Sequence, residues 1–297
     1  MRVALFTSGG SMGEYALKAL SSRHEIVAVV QPGSKSLRST LRQLAEWSGL
    51  REKSWFEKRL HKAGVQRLLA TSRSDPRVRR MLEATYPDII CISSYRWMLD
   101  ESIYSAPRFG AINLHPSLLP RHRGQAPLFW VYRSDDRFTG ATVHRVTGQA
   151  DAGPIQLQQS FAVPRGWPVE RMHNRCAELG ASMLLTACEQ IESETASYFQ
   201  QNDAMATLAP KVPPGTPIVD FDLWSAERVW HFLSGLSPHY REPLVDTWNR
   251  KVAYRRVGNC RIGSKLDAPS GTAVAISGGW LLQCRDGVVE LSKGQEP

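Results

Sequence analysis

The chain of 297 residues has few cysteines, and none of them falls in a paired pattern. The five are widely spaced and form no Cys-x-x-Cys motif, at Cys91, Cys176, Cys188, Cys260 and Cys284. An odd number without paired spacing predicts neither a disulfide framework nor a zinc knuckle. We therefore expect free thiols and no bound metal.

Long apolar runs are also missing. No segment approaches the roughly 20 residues that a membrane-spanning helix requires, and MRVALFTSGG (1–10) is too short in apolar residues for a secretory signal. Apolar residues make up 42% and charged residues 22%, which is ordinary for a soluble globular protein. We expect a cytoplasmic protein without a membrane partner, and a length that suits two domains.

A complete dinucleotide-binding fingerprint is absent as well. SGGSMG (8–13) follows the first apolar run but lacks the first glycine of G-x-G-x-x-G. Gln31 stands where the acidic ribose ligand is expected at the end of the second run. Both departures argue against NAD as a cofactor.

Positive charge is concentrated in one stretch of the chain, which has a net charge of +9. Between Lys35 and Arg80 there are thirteen Lys or Arg residues against four Asp or Glu, and the remainder is balanced. Such a stretch is compatible with nucleic acid, with a polyanionic ligand tail or with a solvated surface. The charge pattern leaves the partner and the oligomeric state open.

Hydrophobic patterning predicts an α/β domain in the first two thirds. RVALF (2–6), a helix over 14–20 and EIVAVVQP (25–32) form a strand–helix–strand unit of the kind that builds parallel sheets. Residues 37–84 have a helical pattern. Further elements are predicted as strands at 87–93, 111–115, 139–146 and 155–163, and as a helix over 168–191.

Prolines mark the start of a second domain. Four of them fall within APKVPPGTPIVD (209–220), so we predict an extended linker over 209–219. Beyond it the pattern predicts a helix over 226–236 and several short strands over 245–289. Gly-Gly and Asp-Gly pairs supply two hairpin turns there, at 278–279 and 286–287.

The expected architecture has two parts. Residues 1–208 form a Rossmann-like α/β catalytic domain with a mostly parallel sheet. Residues 220–297 form a small C-terminal β-barrel domain of OB-like type, since several short strands with tight turns favour a barrel.

Candidate site residues stand at the end of the strand AINLH (111–115). Side chains two apart in a strand point the same way, so Asn113 and His115 face away from a core that holds Ile112 and Leu114. Ligands bind outside the carboxyl ends of strands in open parallel sheets. Asp151, in a loop of Ala and Gly without an obvious ion partner, completes the set.

These residue types suit acyl transfer. An Asn can donate a hydrogen bond to developing oxyanion charge, a His can move a proton, and a carboxylate can orient the His and raise its pKa. Neither Ser117 nor any cysteine is placed as a covalent nucleophile, which favours direct transfer to an amine. A lone strand histidine more often has a structural role.

Two segments resemble the folate-dependent formyltransferases. AINLHPSLLPRHRG (111–124) carries Asn-x-His-Pro-Ser-Leu-Leu-Pro, and TGATVHRVTGQADAGPI (139–155) carries an Asp-x-Gly loop in the matching order and spacing. The superfamily includes methionyl-tRNA, glycinamide ribonucleotide and amino-sugar formyltransferases. PIVDFDLWSAERVWHFLSGLSP (217–238) and the strands ending in RDGVVEL are similar to the barrel domain shared by the methionyl-tRNA and aminoarabinose enzymes.

The resemblance implies 10-formyltetrahydrofolate as the co-substrate. By position, Asn113 would hold the formyl oxygen, His115 would handle protons, and Asp151 would tune His115. The segment similar to the pterin-lining part of the family supplies candidate folate contacts, which are Tyr95, Arg96, Trp97, Met98 and Leu99. Candidate acceptor contacts are Gly10, Ser117, Arg121, His122 and Arg123.

Departures from the family pattern bear on the acceptor. SGGSMGEY (8–15) replaces the Gly-Thr-Pro turn of methionyl-tRNA formyltransferases, and His144 is more like the amino-sugar and purine-pathway relatives. Residues 212–297 hold ten Lys or Arg against nine Asp or Glu, whereas tRNA binding favours a positive surface.

We therefore expect formyl transfer to a small biosynthetic amine, of amino-sugar or amino-acid type. A methionyl-tRNA formyltransferase acting on initiator tRNA is the alternative. A catalytically silent folate or nucleic-acid binding module is the alternative from another class.

Overall fold

The computed structural model describes most of the chain, namely residues 1–33, 55–213, 218–236 and 244–293. These residues belong to two compact units. The first comprises Met1–Gln125, Gly140–Ser160 and His173–Leu208. The second comprises Ala126–Thr139, Phe161–Met172 and Ala209–Pro297. The domain boundaries expected from the sequence remain predictions, and parts of the linker and of the basic stretch, 214–217 and 35–54, lie outside the described residues.

A seven-stranded sheet confirms the mostly parallel α/β architecture. Its strands are β1 (Arg2–Thr7), β2 (Glu25–Pro32), β3 (Gln66–Ala70), β4 (Ile89–Ser93), β5 (Ala111–His115), β6 (Phe138–Arg145) and β7 (Ile155–Ala162). The spatial order is β3-β2-β1-β4-β5-β6-β7. Strands β1 to β5 are parallel to one another, and β6 is antiparallel to β5.

Seven α-helices occur in the described ranges. They are α1 (Gly10–Leu20), α2 (Trp55–Lys62), α3 (Pro76–Thr85), α4 (Glu101–Tyr104), α5 (Pro127–Arg133), α6 (Val169–Glu192) and α7 (Ala226–Leu236). The predicted helices over 14–20, 168–191 and 226–236 are confirmed. Within the described part of the chain, none of the helices combines the length and apolar character that crossing a bilayer requires.

The helical prediction over 37–84 was wrong at β3. Residues 66–70 pair in parallel with β2, with Arg67 opposite Val29 and Leu69 opposite Gln31. As an edge strand, β3 is solvated on part of its surface, so its mixture of polar and apolar residues imitates a helical period. Pairing with β2 decides the conformation, because tertiary context overrides local propensity.

Apolar residues cover both faces of the sheet in the first unit. One face buries Leu5 and Ile112 with Leu184 of α6, and the other buries Phe6 with Ile90. Such burial on both sides explains why these strands read as continuous apolar runs. The cysteines are free thiols, and all except Cys260 are buried.

Helix α6 lies directly against the strand that carries the candidate residues. A Cβ added at Gly180 would lie 2.3 Å from Cδ1 of Leu114 on β5. Any larger side chain at 180 would have to displace that leucine. Glycine therefore allows the helix backbone to support β5 from behind.

The second unit contains a four-stranded antiparallel sheet, consistent with a small barrel-like domain. Its strands are β8 (Arg256–Ile262), β9 (Ala273–Ile276), β10 (Gly279–Cys284) and β11 (Gly287–Ser292), in the order β8-β11-β10-β9. Hairpins join β9 to β10 and β10 to β11. Gly278 has φ +80° in the first hairpin, and Asp286 lies between the strands of the second, so both predicted turns are confirmed.

A charged cluster surrounds a buried histidine in the second unit. Arg165 pairs with both carboxylate oxygens of Glu227, and its Nη1 lies 2.5 Å from Oδ1 of Asp135. His231 is fully buried, and its Nδ1 accepts a hydrogen bond from the Gly166 N–H at 2.9 Å. Burial, aided by the positive charge of Arg165, lowers the pKa of His231 to about 4.

Candidate active site

Strand β5 presents opposite chemistry on its two faces. Ile112 and Leu114 are buried in the core, as predicted. Asn113 is paired in register with Ile92 of β4 on one side and with His144 of β6 on the other. This register brings His144 beside Asn113. Sequence patterns did not indicate His144 as a site residue, although antiparallel pairing of the two predicted strands would have done so.

The carboxyl ends of β1 and β4 meet next to β5. The chain runs from β1 to β2 and β3 on one side and returns to β4 on the other, so the strand order reverses between β1 and β4. The loops that follow these two strands are joined, since the Ser8 N–H donates to the Ser94 carbonyl at 2.7 Å. Open α/β sheets bind ligands at such a reversal of strand order.

Asp151 approaches the polar end of β5 from the loop after β6. Its Oδ1 lies 3.2 Å from Nδ2 of Asn113 and 3.6 Å from Nδ1 of His115. Nε2 of His144 is 3.5 Å from the same oxygen. Oδ2 accepts the Gly124 backbone N–H at 2.9 Å. The structure thus brings the three predicted residues together with a second histidine.

The Asp-x-Gly sequence is explained by local geometry. Asp151 has a left-handed backbone conformation with φ +51°, which is uncommon for a residue other than glycine. A Cβ added at Gly153 would lie 1.9 Å from the Arg145 carbonyl oxygen, so only glycine fits there. The loop packs this tightly because the Arg145 N–H donates to the Pro154 carbonyl at 2.9 Å.

His115 is oriented by a backbone carbonyl. Its Nε2 lies 2.8 Å from the His122 carbonyl oxygen. A carbonyl only accepts, so Nε2 carries the proton and the neutral ring has its lone pair on Nδ1, facing Asp151. His122 is held in turn by its own N–H, which donates to the Thr207 hydroxyl at 2.9 Å.

The amide nitrogen of Asn113 contacts two side chains, those of His144 and Asp151. Nδ2 lies 3.1 Å from Nε2 of His144 and 3.2 Å from Oδ1 of Asp151. Nδ1 of His144 donates to the Arg145 carbonyl at 2.8 Å, which turns Nε2 toward the amide. His144 therefore positions the amide of Asn113, which in turn donates to Asp151.

Burial determines the charge state of His115. Desolvation lowers its pKa below the ordinary value, and the negative charge of Asp151 opposes that effect without reversing it. The expected upward effect of the carboxylate on this pKa is present, but burial has the larger effect, so the net pKa of His115 is lowered. Burial also raises the pKa of Asp151, but the imidazoles of His144 and His115 outweigh it and lower the pKa to about 2. Near neutral pH the pair is a neutral imidazole beside an ionised carboxylate.

The residues of this site fall in a region that matches a known family. The model of the formyl transferase family matches residues 1–188. This chain belongs to the formyl transferase family. The methionyl-tRNA formyltransferase of Thermotoga maritima is 35% identical over 140 residues, covering 47% of this chain and 45% of that protein. The chain spans about half the length of the curated relatives it matches.

Solved structures share the fold over nearly the whole chain. An N-formyltransferase from Helicobacter canadensis, in complex with folinic acid and dTDP-3-aminofucose, has a TM-score of 0.69 at 12% identity and covers 99% of both chains. HypX from Aquifex aeolicus, in complex with tetrahydrofolic acid, has a TM-score of 0.64 at 16% identity, covering 98% of this chain and 43% of HypX. These similarities establish the fold.

The segment predicted to contact folate follows β4. Tyr95 and Trp97 pack edge to face with ring centroids 5.8 Å apart, and Cζ of Arg96 lies 5.3 Å from the Trp97 ring centroid. Burial raises the pKa of Tyr95 to about 12, which keeps it neutral. Met98 is half-exposed, whereas Leu99 is buried in the core. The aromatic and cationic surface is therefore provided by 95–97.

The predicted acceptor residues of this family member lie in different environments. Gly10 begins α1, and a Cβ added there would meet no atom within 4 Å. Ser117 is fully buried, and its hydroxyl donates to the Arg121 carbonyl at 2.8 Å. Arg123 is buried as well. Gly10 and the side chain of Arg121 thus remain at the surface, while Ser117 and Arg123 lie within the loop.

Among the described residues, no group of His, Cys, Asp or Glu is arranged to hold a metal ion.

Proposed function

We propose that this chain transfers a formyl group from 10-formyltetrahydrofolate directly to the primary amine of a small biosynthetic substrate, of amino-sugar or amino-acid type. The observation that supports it most is the geometry at the carboxyl edge of the sheet. There, Oδ1 of Asp151 lies 3.2 Å from Nδ2 of Asn113 and 3.6 Å from Nδ1 of His115. Membership of the formyl transferase family supplies the reaction class.

The reaction requires a base and an acid. The amine attacks the formyl carbon as a C–N bond forms, and it loses a proton to Nδ1 of His115. The tetrahedral intermediate collapses when the bond to N10 of the folate breaks, and that nitrogen receives the proton held by His115, which returns the imidazole to its neutral form. Products are the N-formyl amine and tetrahydrofolate. A neutral, buried His115 with a free lone pair is suited to the first proton transfer.

Asp151 supports His115 in this scheme. Once Nδ1 is protonated, the imidazolium lies 3.6 Å from an ionised carboxylate, which stabilises the positive charge as it forms. The low pKa of Asp151, about 2, keeps the carboxylate ionised at neutral pH. The stabilisation therefore appears only after proton transfer, when the transition state needs it.

Asn113 would donate to the oxygen of the tetrahedral intermediate. Both of its N–H groups point at neighbours in the structure, one toward His144 and one toward Asp151. The formyl oxygen would therefore replace one of these two contacts. The proposed reaction forms no covalent enzyme intermediate, because the Ser117 hydroxyl donates its hydrogen bond to the Arg121 carbonyl oxygen.

The donor's pterin would contact the segment after β4. Tyr95 and Trp97 offer aromatic surface there, and Arg96 adds positive charge. This placement is supported by the joined loops after β1 and β4, which border the site. Folate binding by these residues would be weakened by Trp97→Ala, measured by titration with tetrahydrofolate.

Initiator methionyl-tRNA is the second candidate acceptor. It is favoured by the 35% identity to a methionyl-tRNA formyltransferase. The near-neutral charge of residues 212–297, with ten Lys or Arg against nine Asp or Glu, favours a small amine instead.

The experiment that tests the proposal offers both acceptor classes at once. The protein is incubated with 10-formyltetrahydrofolate and a panel of nucleotide-linked amino sugars, amino acids and charged initiator tRNA, and products are read by mass spectrometry. We expect one small amine to gain a formyl group, and His115→Gln to abolish the product. Faster formylation of the tRNA than of any small amine would identify the second candidate. No product with any acceptor, despite folate binding, would indicate a binding module.

A further inference from the structure

The loop that carries Asp151 is held by one amide side chain from a distant part of the chain. Nε2 of Gln201 donates to the carbonyl oxygens of Asp151 and Gly153, at 2.8 Å each. Both hydrogens of that amide are therefore directed into the loop. These two carbonyls flank Ala152. The first belongs to Asp151, the residue with the left-handed φ of +51°.

Gln201 is itself fixed by a buried arginine. Its Oε1 accepts from Nε and Nη2 of Arg123, at 3.0 and 2.7 Å. Nη2 of Arg123 also lies 2.8 Å from Oδ1 of Asp203. Arg123 is only 6% exposed. A planar guanidinium that meets one amide oxygen through two nitrogens sets the orientation of that amide.

The same arrangement reaches both sides of the candidate active site. Arg123 lies between His122, whose carbonyl orients His115, and Gly124, whose N–H binds Asp151. The loop that orients the imidazole and the loop that carries the carboxylate are therefore joined through Gln201.

We propose that Gln201, held by Arg123, is a positioning residue that keeps the Asp151 carboxylate beside Nδ1 of His115. The inference rests on the proposed function for its kinetic consequence, but its geometric content is independent of the substrate. Gln201 touches no reacting group in this scheme. It acts through the backbone of the Asp151 loop, where two hydrogen bonds offset the strain of a left-handed residue.

The kinetic test compares Gln201→Met with the same change one position earlier. Gln201→Met removes both donated bonds at similar side-chain length, whereas the exposed Gln200 makes Gln200→Met a matched control. We expect kcat to fall about 10- to 100-fold for position 201, because both hydrogen bonds that hold the Asp151 loop are lost. The KM of the folate should change little.

The pH profile separates positioning from a general structural role. Asp151 raises the pKa of His115 against the larger effect of burial. A displaced carboxylate would let that pKa fall further, so the acid limb of kcat/KM should move to lower pH in Gln201→Met. A drop in kcat with an unmoved acid limb, or an equal drop in Gln200→Met, would overturn the proposal.

A second readout needs no substrate, so it distinguishes failure of this inference from failure of the proposed function. Hydrogen exchange of the Gly124 N–H reports on its bond to Oδ2 of Asp151. We expect faster exchange in Gln201→Met and in Gln201→Glu, which keeps an acceptor for Arg123 and so protects the fold. Wild-type exchange in Gln201→Glu would overturn the proposal even if no acceptor is formylated.

Discussion

Two buried histidines, one in each unit, differ in their hydrogen bonds and charged neighbours. His115 and His231 both have a pKa lowered by burial. Nδ1 of His115 carries a lone pair 3.6 Å from the carboxylate of Asp151. Nδ1 of His231 already accepts the Gly166 N–H, and its Nε2 has no hydrogen-bond partner among the described residues.

The difference lies in what each imidazole can do next. Protonation of His115 places a new charge beside an anion. Protonation of His231 places a new charge in a mixed cluster, where Arg165 lowers its pKa and the carboxylates of Asp135 and Glu227 raise it. Burial and a low pKa are therefore shared by both kinds of histidine. A free lone pair directed at an ionised carboxylate distinguishes the candidate base.

The largest expected effect is on turnover at His115. His115→Gln should lower kcat by about 10²–10⁴-fold, the usual contribution of a general base, and should leave tetrahydrofolate affinity unchanged. His231→Gln is the control and should leave kcat unchanged. Steady-state kinetics and folate titration check both. Equal losses of kcat in the two variants would remove the distinction between the histidines.

The second-largest loss of kcat is expected for Asp151→Asn. Loss of the negative charge should lower kcat by about 10²-fold, because the imidazolium that forms on His115 loses its counter-charge. The pKa of His115 should fall further, so the acid limb of the kcat/KM profile should shift to lower pH. A limb that moves to higher pH would contradict the pairing.

The loss of stability should follow the reverse order, with His231→Gln lowering the free energy of unfolding more than His115→Gln. His231→Gln alters a fully buried imidazole that binds the Gly166 N–H. We expect the free energy of unfolding to decrease by about 1–3 kcal/mol. Urea denaturation of His231→Gln and His115→Gln measures the contrast. A larger loss for His115→Gln would show that His115 has mainly a structural role.

The smallest effect is the pH dependence of stability. His231 has a pKa of about 4 in the folded chain against an ordinary 6.5, so the unfolded chain binds the proton more readily. The free energy of unfolding should therefore decrease as pH falls from about 6.5 toward 4. In His231→Gln the slope over that window should be shallower, measured by urea midpoints at several pH values. An identical slope would exclude His231 as a contributor.

Local patterns predicted much of the fold and the candidate site. The apolar runs of β1, β2 and β4 are buried on both faces, so composition alone indicates them. Asn113 and His115 follow from the two-residue period of a strand, and Ala226–Leu236 from its helical stripe. β3 was missed because an edge strand retains polar residues and depends on its partner for its conformation.

The rest of the site depends on contacts between distant segments. His144 reaches Asn113 only through the antiparallel register of β5 and β6. Gln201 lies 50 positions from Asp151 and is brought to it by the return of the chain after α6. The His122 carbonyl and the Gly124 N–H are backbone groups, so no residue type marks them. Neither sequence period nor motif carries that information.

The close approach of Gly180 to Leu114 has a consequence for turnover. Because α6 packs closely against the buried face of β5, a side chain at position 180 would clash with Leu114. Gly180→Ala should therefore displace Leu114 on β5 and lower kcat, although position 180 lies on α6 and outside the set Asn113, His115 and Asp151.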